Sequence, residues 1–176
     1  MDAEPKLWMP ECNGRRLSLI ESIDRAFPKS PPPGEALFAN DDPYTYRLIE
    51  MHLLGKTWYE IDLREWLDFG RQGRSVTSDS LNSDSTYMLT PAGWAYYIPC
   101  YMIFCLTAID PDVHLGDVVS HMRQRHKHHD FGRFVSLLTP AQIEVCKEFL
   151  SFAAECHIFG GYEDAAIALK DWPVSK

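Results

Sequence analysis

The sequence predicts an all-α protein, a compact multi-helix single domain built around a kinked apolar central helix. Three observations predict it. Apolar residues recur at three- and four-residue steps in several segments, two Thr-Pro pairs have the form of helix N-termini, and no segment shows convincing apolar/polar alternation. The chain has 176 residues, of which 45% are hydrophobic and 24% charged, enough apolar matter for one ordinary domain. The expected organisation is an N-terminal tail over 1–14, one helical domain over 15–172, and a C-terminal tail over 173–176.

The first helix is expected from about Arg15, with Leu17, Ile20, Ile23 and Phe27 on its apolar face. Pro28-Lys29-Ser30-Pro31-Pro32-Pro33-Gly34 ends it, because consecutive prolines remove backbone donors and fix φ. This stretch reads as an extended connector, with a proline-rich ligand motif as the functional alternative. Asp42-Pro43 then starts a helix through Tyr44, Leu48, Met51 and Leu54, which Gly55 stops. Thr57 and Glu60 have capping-box spacing, and Leu63, Trp66 and Leu67 continue a short amphipathic helix. Residues 71–86, rich in Gly, Ser, Asp and Asn, read as a loop.

Leu89-Thr90-Pro91-Ala92 and Leu138-Thr139-Pro140-Ala141 both place Thr at an N-cap and Pro at the first helical position. The helix from Pro91 to about Ile109 is apolar nearly all round, so the other helices should cover it, and Pro99 should kink it. Ala92 to Ile109 is uncharged over eighteen residues, close to a membrane span. Pro99, three mid-depth tyrosines and the acidic downstream flank Asp110-Pro111-Asp112 favour a buried helix instead. The helix from Pro140 to about Cys156 carries Ile143, Cys146, Phe149, Leu150 and Ala153 on its core stripe. Leu115, Val118, Val119 and Met122 mark a short helix between these two, and residues 162–172 a terminal one. Phe134 to Leu138 reads as a loop or edge strand.

The order of motifs resembles a known family. Gly55-Lys56-Thr57-Trp58, then Leu89-Thr90-Pro91 leading into Tyr96-Tyr97-Ile98-Pro99-Cys100-Tyr101, then Leu138-Thr139-Pro140-Ala141-Gln142 leading into Phe149-Leu150, is similar to the bacterial domain-of-unknown-function 6714 family. The similarity runs from about Ser18 to Trp172. Tyr96-Tyr97-Ile98-Pro99 stands where that family has YYLP, the loop over 71–86 is longer than in the family, and the His-rich stretch near His126 matches none of its motifs. The resemblance implies a small bacterial cytosolic domain and brings no activity, ligand or catalytic residue with it.

Charge narrows the function classes. A formal charge of −8 disfavours general nucleic-acid binding, which draws its affinity from Lys and Arg, and suits a basic partner. Five cysteines without CxxC spacing read as reduced thiols, and Met1 to Pro10, with Asp2, Glu4 and Pro5, does not read as a signal peptide. The expectation is a cytoplasmic protein, with no membrane association and no cofactor. No GxSxG, P-loop or GxGxxG pattern occurs, and the acid pairs Asp41-Asp42 and Asp110/Asp112 sit beside prolines, where capping and turns account for them. No catalytic set is expected.

Two constellations remain. From Glu35 to Asp68 eight acids face three bases, a local charge of −5, with Trp58, Tyr59 and Trp66 interleaved. Aromatic anchors among acids suit a face for a basic protein, the charge steering and the rings supplying affinity. The partner-binding candidates are Asp41, Asp42, Trp58, Tyr59, Glu60, Asp62, Glu65 and Asp68, against the plainer reading that the tryptophans are core and the acids solubilising. The function expected is a noncatalytic bacterial protein-binding module, in its sharpest form an immunity-type protein neutralising a basic toxin. The second constellation is His121, His126 and His129 with Asp130, which would make the chain a metal-binding protein or metal-dependent hydrolase. Against a metal, only His126 and His129 have helical ligand spacing, and Arg123, Arg125 and Lys127 are interleaved. The same stretch also reads as a basic island or a solvated turn.

Overall fold

A computed structural model describes residues 7–33, 37, 53, 55–61, 63, 89–108, 112–123, 130–159 and 162–173. Among them the protein is all-α, with no β-strand. Six α-helices are described: α1 (Asn13–Ala26), α2 (Pro91–Thr107), α3 (Asp112–His121), α4 (Phe131–Ser136), α5 (Pro140–Cys156) and α6 (Glu163–Asp171). Two 3-10 turns, Pro10–Cys12 and Trp58–Glu60, complete the set. The expected helix from Asp42, the amphipathic continuation through Trp66 and the loop over 71–86 lie outside the described residues, apart from isolated positions such as Leu53 and Leu63.

Both Thr-Pro starts form as the spacing predicts. The Thr90 hydroxyl accepts from the Gly93 N–H at 3.1 Å. At α5 the Thr139 hydroxyl accepts from the Gln142 N–H at 3.3 Å, while the Gln142 side chain accepts from the Thr139 N–H at 2.8 Å. Each cap satisfies donors that a helix start leaves open, and losing one costs about 1 kcal/mol. At Gly93 the absence of a side chain is required, because a methyl group there would overlap the Leu37 carbonyl oxygen. Leu37 in turn accepts from the Thr90 N–H at 3.0 Å.

α2 is the interior post. Trp94, Tyr97, Ile98, Met102, Cys105 and Leu106 are all buried, and α1, α3, α4 and the Trp58–Glu60 turn pack on it. No described helix is long and apolar enough to cross a membrane. Pro99 lies inside α2, buried, where it removes one backbone donor from the helix. α5 carries Val145, Cys146, Phe149, Leu150, Phe152 and Ala153 into the same core and packs on α1 and α6. α6 presents Ala165 and Ala168, small residues that admit close helix approach.

Three sequence expectations need correction. Phe134 to Leu138 is neither loop nor strand in its first half, because α4 runs Phe131–Ser136 and is capped by the Asp130 carboxylate on the Arg133 N–H at 2.9 Å. On α1, Ile20, Ile23 and Phe27 pack on the core as expected and Leu19 joins them, whereas Leu17 is 51% exposed. The face is rotated because α1 must serve both α2 and α5. Cys12 and Cys156 are joined in a disulfide, with Cα atoms 6.0 Å apart across 144 residues of sequence, and only Cys100, Cys105 and Cys146 are free thiols, all buried.

The bridge closes a junction between the segment before α1 and the end of α5. Residues 7–9, in the stretch expected as a tail, run antiparallel to the end of α5. The Met9 N–H donates to the Cys156 carbonyl at 2.9 Å and the Ile158 N–H to the Leu7 carbonyl at 2.7 Å. Trp8 is buried against Phe152, with ring centroids 4.9 Å apart, and its indole N–H donates to the Cys105 carbonyl at 3.1 Å. Arg15 binds the Glu155 carboxylate at 2.6 Å and the Ser151 hydroxyl at 3.0 Å.

Candidate functional site: a groove beside the Trp58–Glu60 turn

The turn after Gly55 is fixed from below. Gly55 takes a φ of 75°, a left-handed conformation that glycine adopts without steric cost, and reverses the chain there. The capping box forms: Glu60's carboxylate accepts from the Thr57 N–H at 2.9 Å and also from the Thr57 hydroxyl. The Thr57 hydroxyl, then its N–H, hold the Glu60 carboxyl below the usual carboxylate range, so the exposed Glu60 is an anion over a wide pH span.

Aromatic polar atoms then pin this turn and the proline connector to α2. The Trp58 indole donates to the Pro28 carbonyl at 3.0 Å, and the Tyr96 hydroxyl to the Ser30 carbonyl at 2.8 Å. The buried Tyr97 hydroxyl donates to the Leu53 carbonyl at 3.0 Å. The connector cannot build a ladder of its own with so many prolines, and two of its carbonyls, those of Pro28 and Ser30, are instead satisfied by side chains.

Between these walls lies a groove of about 570 Å³. Its floor is Ile103 and Phe104 of α2 with Ile61 and Leu63, and its rim carries Asp24, Lys29, Tyr59 and Glu60. Tyr59 is 46% exposed and stands edge-on to the buried Trp58, with ring centroids 5.7 Å apart. The Lys29 ammonium pairs with Asp24 at 2.7 Å and lies 6.0 Å from the centre of the Tyr59 ring. The Cys100 thiol at the groove's edge donates to the Tyr97 carbonyl at 3.0 Å, and burial pushes its ionisation far up, which makes it a poor nucleophile. What the groove offers is an apolar seat, one exposed aromatic ring and a fixed carboxylate.

The structure divides the sequence candidates. Trp58 is a core residue, whereas Tyr59 and Glu60 face solvent on the groove rim. Asp41, Asp42, Asp62, Glu65 and Asp68 lie outside the described residues. Asp24 and Lys29 join the rim without any signal in the sequence, since Asp24 comes from the last turn of α1 and Lys29 from the connector after it, thirty or more residues before Tyr59.

The two described members of the metal constellation have structural work. His121 is buried and stacks on Trp94 at 4.5 Å, and its Nδ1 donates to the Asp117 carbonyl at 2.9 Å. Asp130 caps α4, and His126 and His129 lie outside the described residues. Among the described residues no three His, Cys, Asp or Glu side chains converge as a metal site would require. Arg123 of the basic island pairs with Asp164 at 2.7 Å.

The fold and groove define an all-α domain with one aromatic-rimmed cleft beside its central helix. No family model, curated protein or solved structure matches the chain.

Proposed function

We propose that this chain is a noncatalytic bacterial protein-binding module that receives a basic partner at the groove, with an apolar side chain of that partner seated on Ile103 and Phe104. The observation that carries the reading is the groove itself, an apolar floor beside the exposed Tyr59 ring and the Glu60 anion. Tyr59 is the type of residue that dominates interfaces, offering a large ring at low entropic cost. The chain's charge of −8 supplies long-range attraction for a cationic surface. In its sharpest form the module is an immunity-type protein that neutralises a basic toxin enzyme by covering it.

The test is a titration of the purified chain with the basic protein encoded beside it in its source genome, followed by calorimetry at low and high salt. Tyr59→Ala should weaken binding about tenfold or more with unchanged melting temperature, and the affinity should fall as salt rises. Binding indifferent to both changes would place the interface elsewhere, and no binding by any such neighbour would remove the reading.

A further inference from the structure

We propose that the Cys12–Cys156 bridge is a thiol–disulfide exchange site, opened at the Cys12 sulfur by a dithiol reductant, and that its opening releases the strap formed by residues 7–9. The inference is independent of the groove and uses other residues.

The two sulfurs of the bridge are unequal. Cys12 is partly exposed at the start of α1, while Cys156 is 2% exposed at the end of α5. An incoming thiolate therefore reaches Cys12 first. The Arg15 guanidinium sits 3.9 Å from the Cys156 sulfur. That placement favours Cys156 as the leaving group, because a nearby cation stabilises the thiolate that departs. The remaining cysteines do not compete: Cys100, Cys105 and Cys146 are buried, and burial pushes each of their thiols far up.

The step balances as ordinary exchange. The reductant's thiolate attacks Cys12 Sγ, a new S–S bond forms, and the Cys12–Cys156 bond breaks with its electron pair going to Cys156 Sγ, which takes a proton from solvent. The reductant's second thiol gives up its own proton and attacks the mixed disulfide, releasing Cys12 as a thiolate that is protonated in turn. The protein gains two electrons and two protons, and the dithiol becomes a disulfide.

What the bridge guards follows from its neighbours. Leu7, Trp8 and Met9 reach the end of α5 through two backbone hydrogen bonds, the Trp8 indole bond and ring packing. With the bridge intact, these contacts cannot separate far. Once it is reduced they alone hold the strap, and their opening uncovers the face of Phe152 that Trp8 covers.

The test uses the full chain in native buffer. Glutathione is added, the reaction is quenched with acid, and the mixed disulfide is located by peptide mass spectrometry. The expected adduct is on Cys12. Reduction by dithiothreitol without denaturant should leave helical circular dichroism unchanged while hydrogen exchange at the Met9 and Ile158 amides speeds up about tenfold or more. Arg15→Gln should slow reduction about threefold, whereas Glu155→Gln, which removes the ion pair and keeps the guanidinium, should not slow it. Free Cys12 in air-purified protein, an adduct on Cys156, reduction only in denaturant, unaltered exchange at the two amides, or an unchanged rate in Arg15→Gln would each overturn the proposal.

Discussion

The junction between residues 7–9 and the end of α5, and the groove wall, are both irregular segments laid against α2 and its neighbours, yet one is closed and the other open. At the junction, residues 7–9 pair backbone to backbone with the end of α5, Trp8 fills the space beneath, and a covalent bond spans 144 residues of sequence. At the groove, the backbone at Pro28, Ser30, Leu53 and Lys56 is held by donors at the tips of the Trp58, Tyr96 and Tyr97 side chains. Side chains that reach out to a loop hold it at their own length. A backbone that pairs with its neighbour is drawn into contact, and so the side-chain tethers leave a cleft at the groove and the backbone pairing leaves none at the junction.

The largest expected effect is at the junction. Removing the bridge with Cys12→Ser and Cys156→Ala should cost about 3 to 5 kcal/mol on the chain-entropy argument, since the loop it closes is very long. For a protein of this size that is a fall of about 10 °C in melting temperature, measured by calorimetry on oxidised wild type against the double variant. A melting temperature that does not move would mean that the backbone pairing alone closes this side.

Next comes the start of α2. Gly93→Ala forces the Leu37 backbone away and should cost about 2 kcal/mol, as overpacking does. Tyr97→Phe removes one hydroxyl and leaves the Leu53 carbonyl without that donor, so about 1 to 2 kcal/mol is expected in urea unfolding. If the wall is pinned as described, Tyr97→Phe should also perturb binding at the groove; an unaffected groove would show that Trp58 and Tyr96 suffice.

The smallest effect concerns a polar misfit on α3. The half-buried Asp117 carboxyl, with Oδ2 lacking a hydrogen-bond partner among the described residues, is raised by burial from 3.8 to about 6. The folded protein therefore holds this proton more tightly than the unfolded chain. Stability from this group is greatest below about pH 3.8, declines as pH climbs to about 6, and stays lower above that. Asp117→Asn should stabilise by about 1 kcal/mol at pH 7.5, a figure discounted for solvent contact, with the gain vanishing near the acid end of a melting series. A gain that persisted at low pH would point to packing instead of charge.

Legibility followed distance along the chain. The caps at Thr90 and Thr139 and the box at Thr57 and Glu60 were readable because the hydrogen bonds that make them join residues three apart. The burial of α2 was readable because a helix apolar on every side has nowhere else to go. The rotation of α1 that exposes Leu17 was not, since its face depends on where α2 and α5 sit. His121 shows the same limit. Grouped with His126 and His129 it suggests a ligand, and only the position of Trp94, twenty-seven residues earlier, makes it a stacked core ring. Of the groove, Tyr59 and Glu60 were visible, while Asp24 and Lys29 were not.

What the sequence determined by itself was the all-α class, the two Thr-Pro helix starts and the identity of the central helix, because these rest on local propensity and on the period of apolar residues. The pairing of Cys12 with Cys156, the strap over α5 and the groove were decided only by the tertiary structure. Each requires segments tens to more than a hundred residues apart to meet, and that meeting is set by how whole helix faces pack, which no short-range pattern encodes.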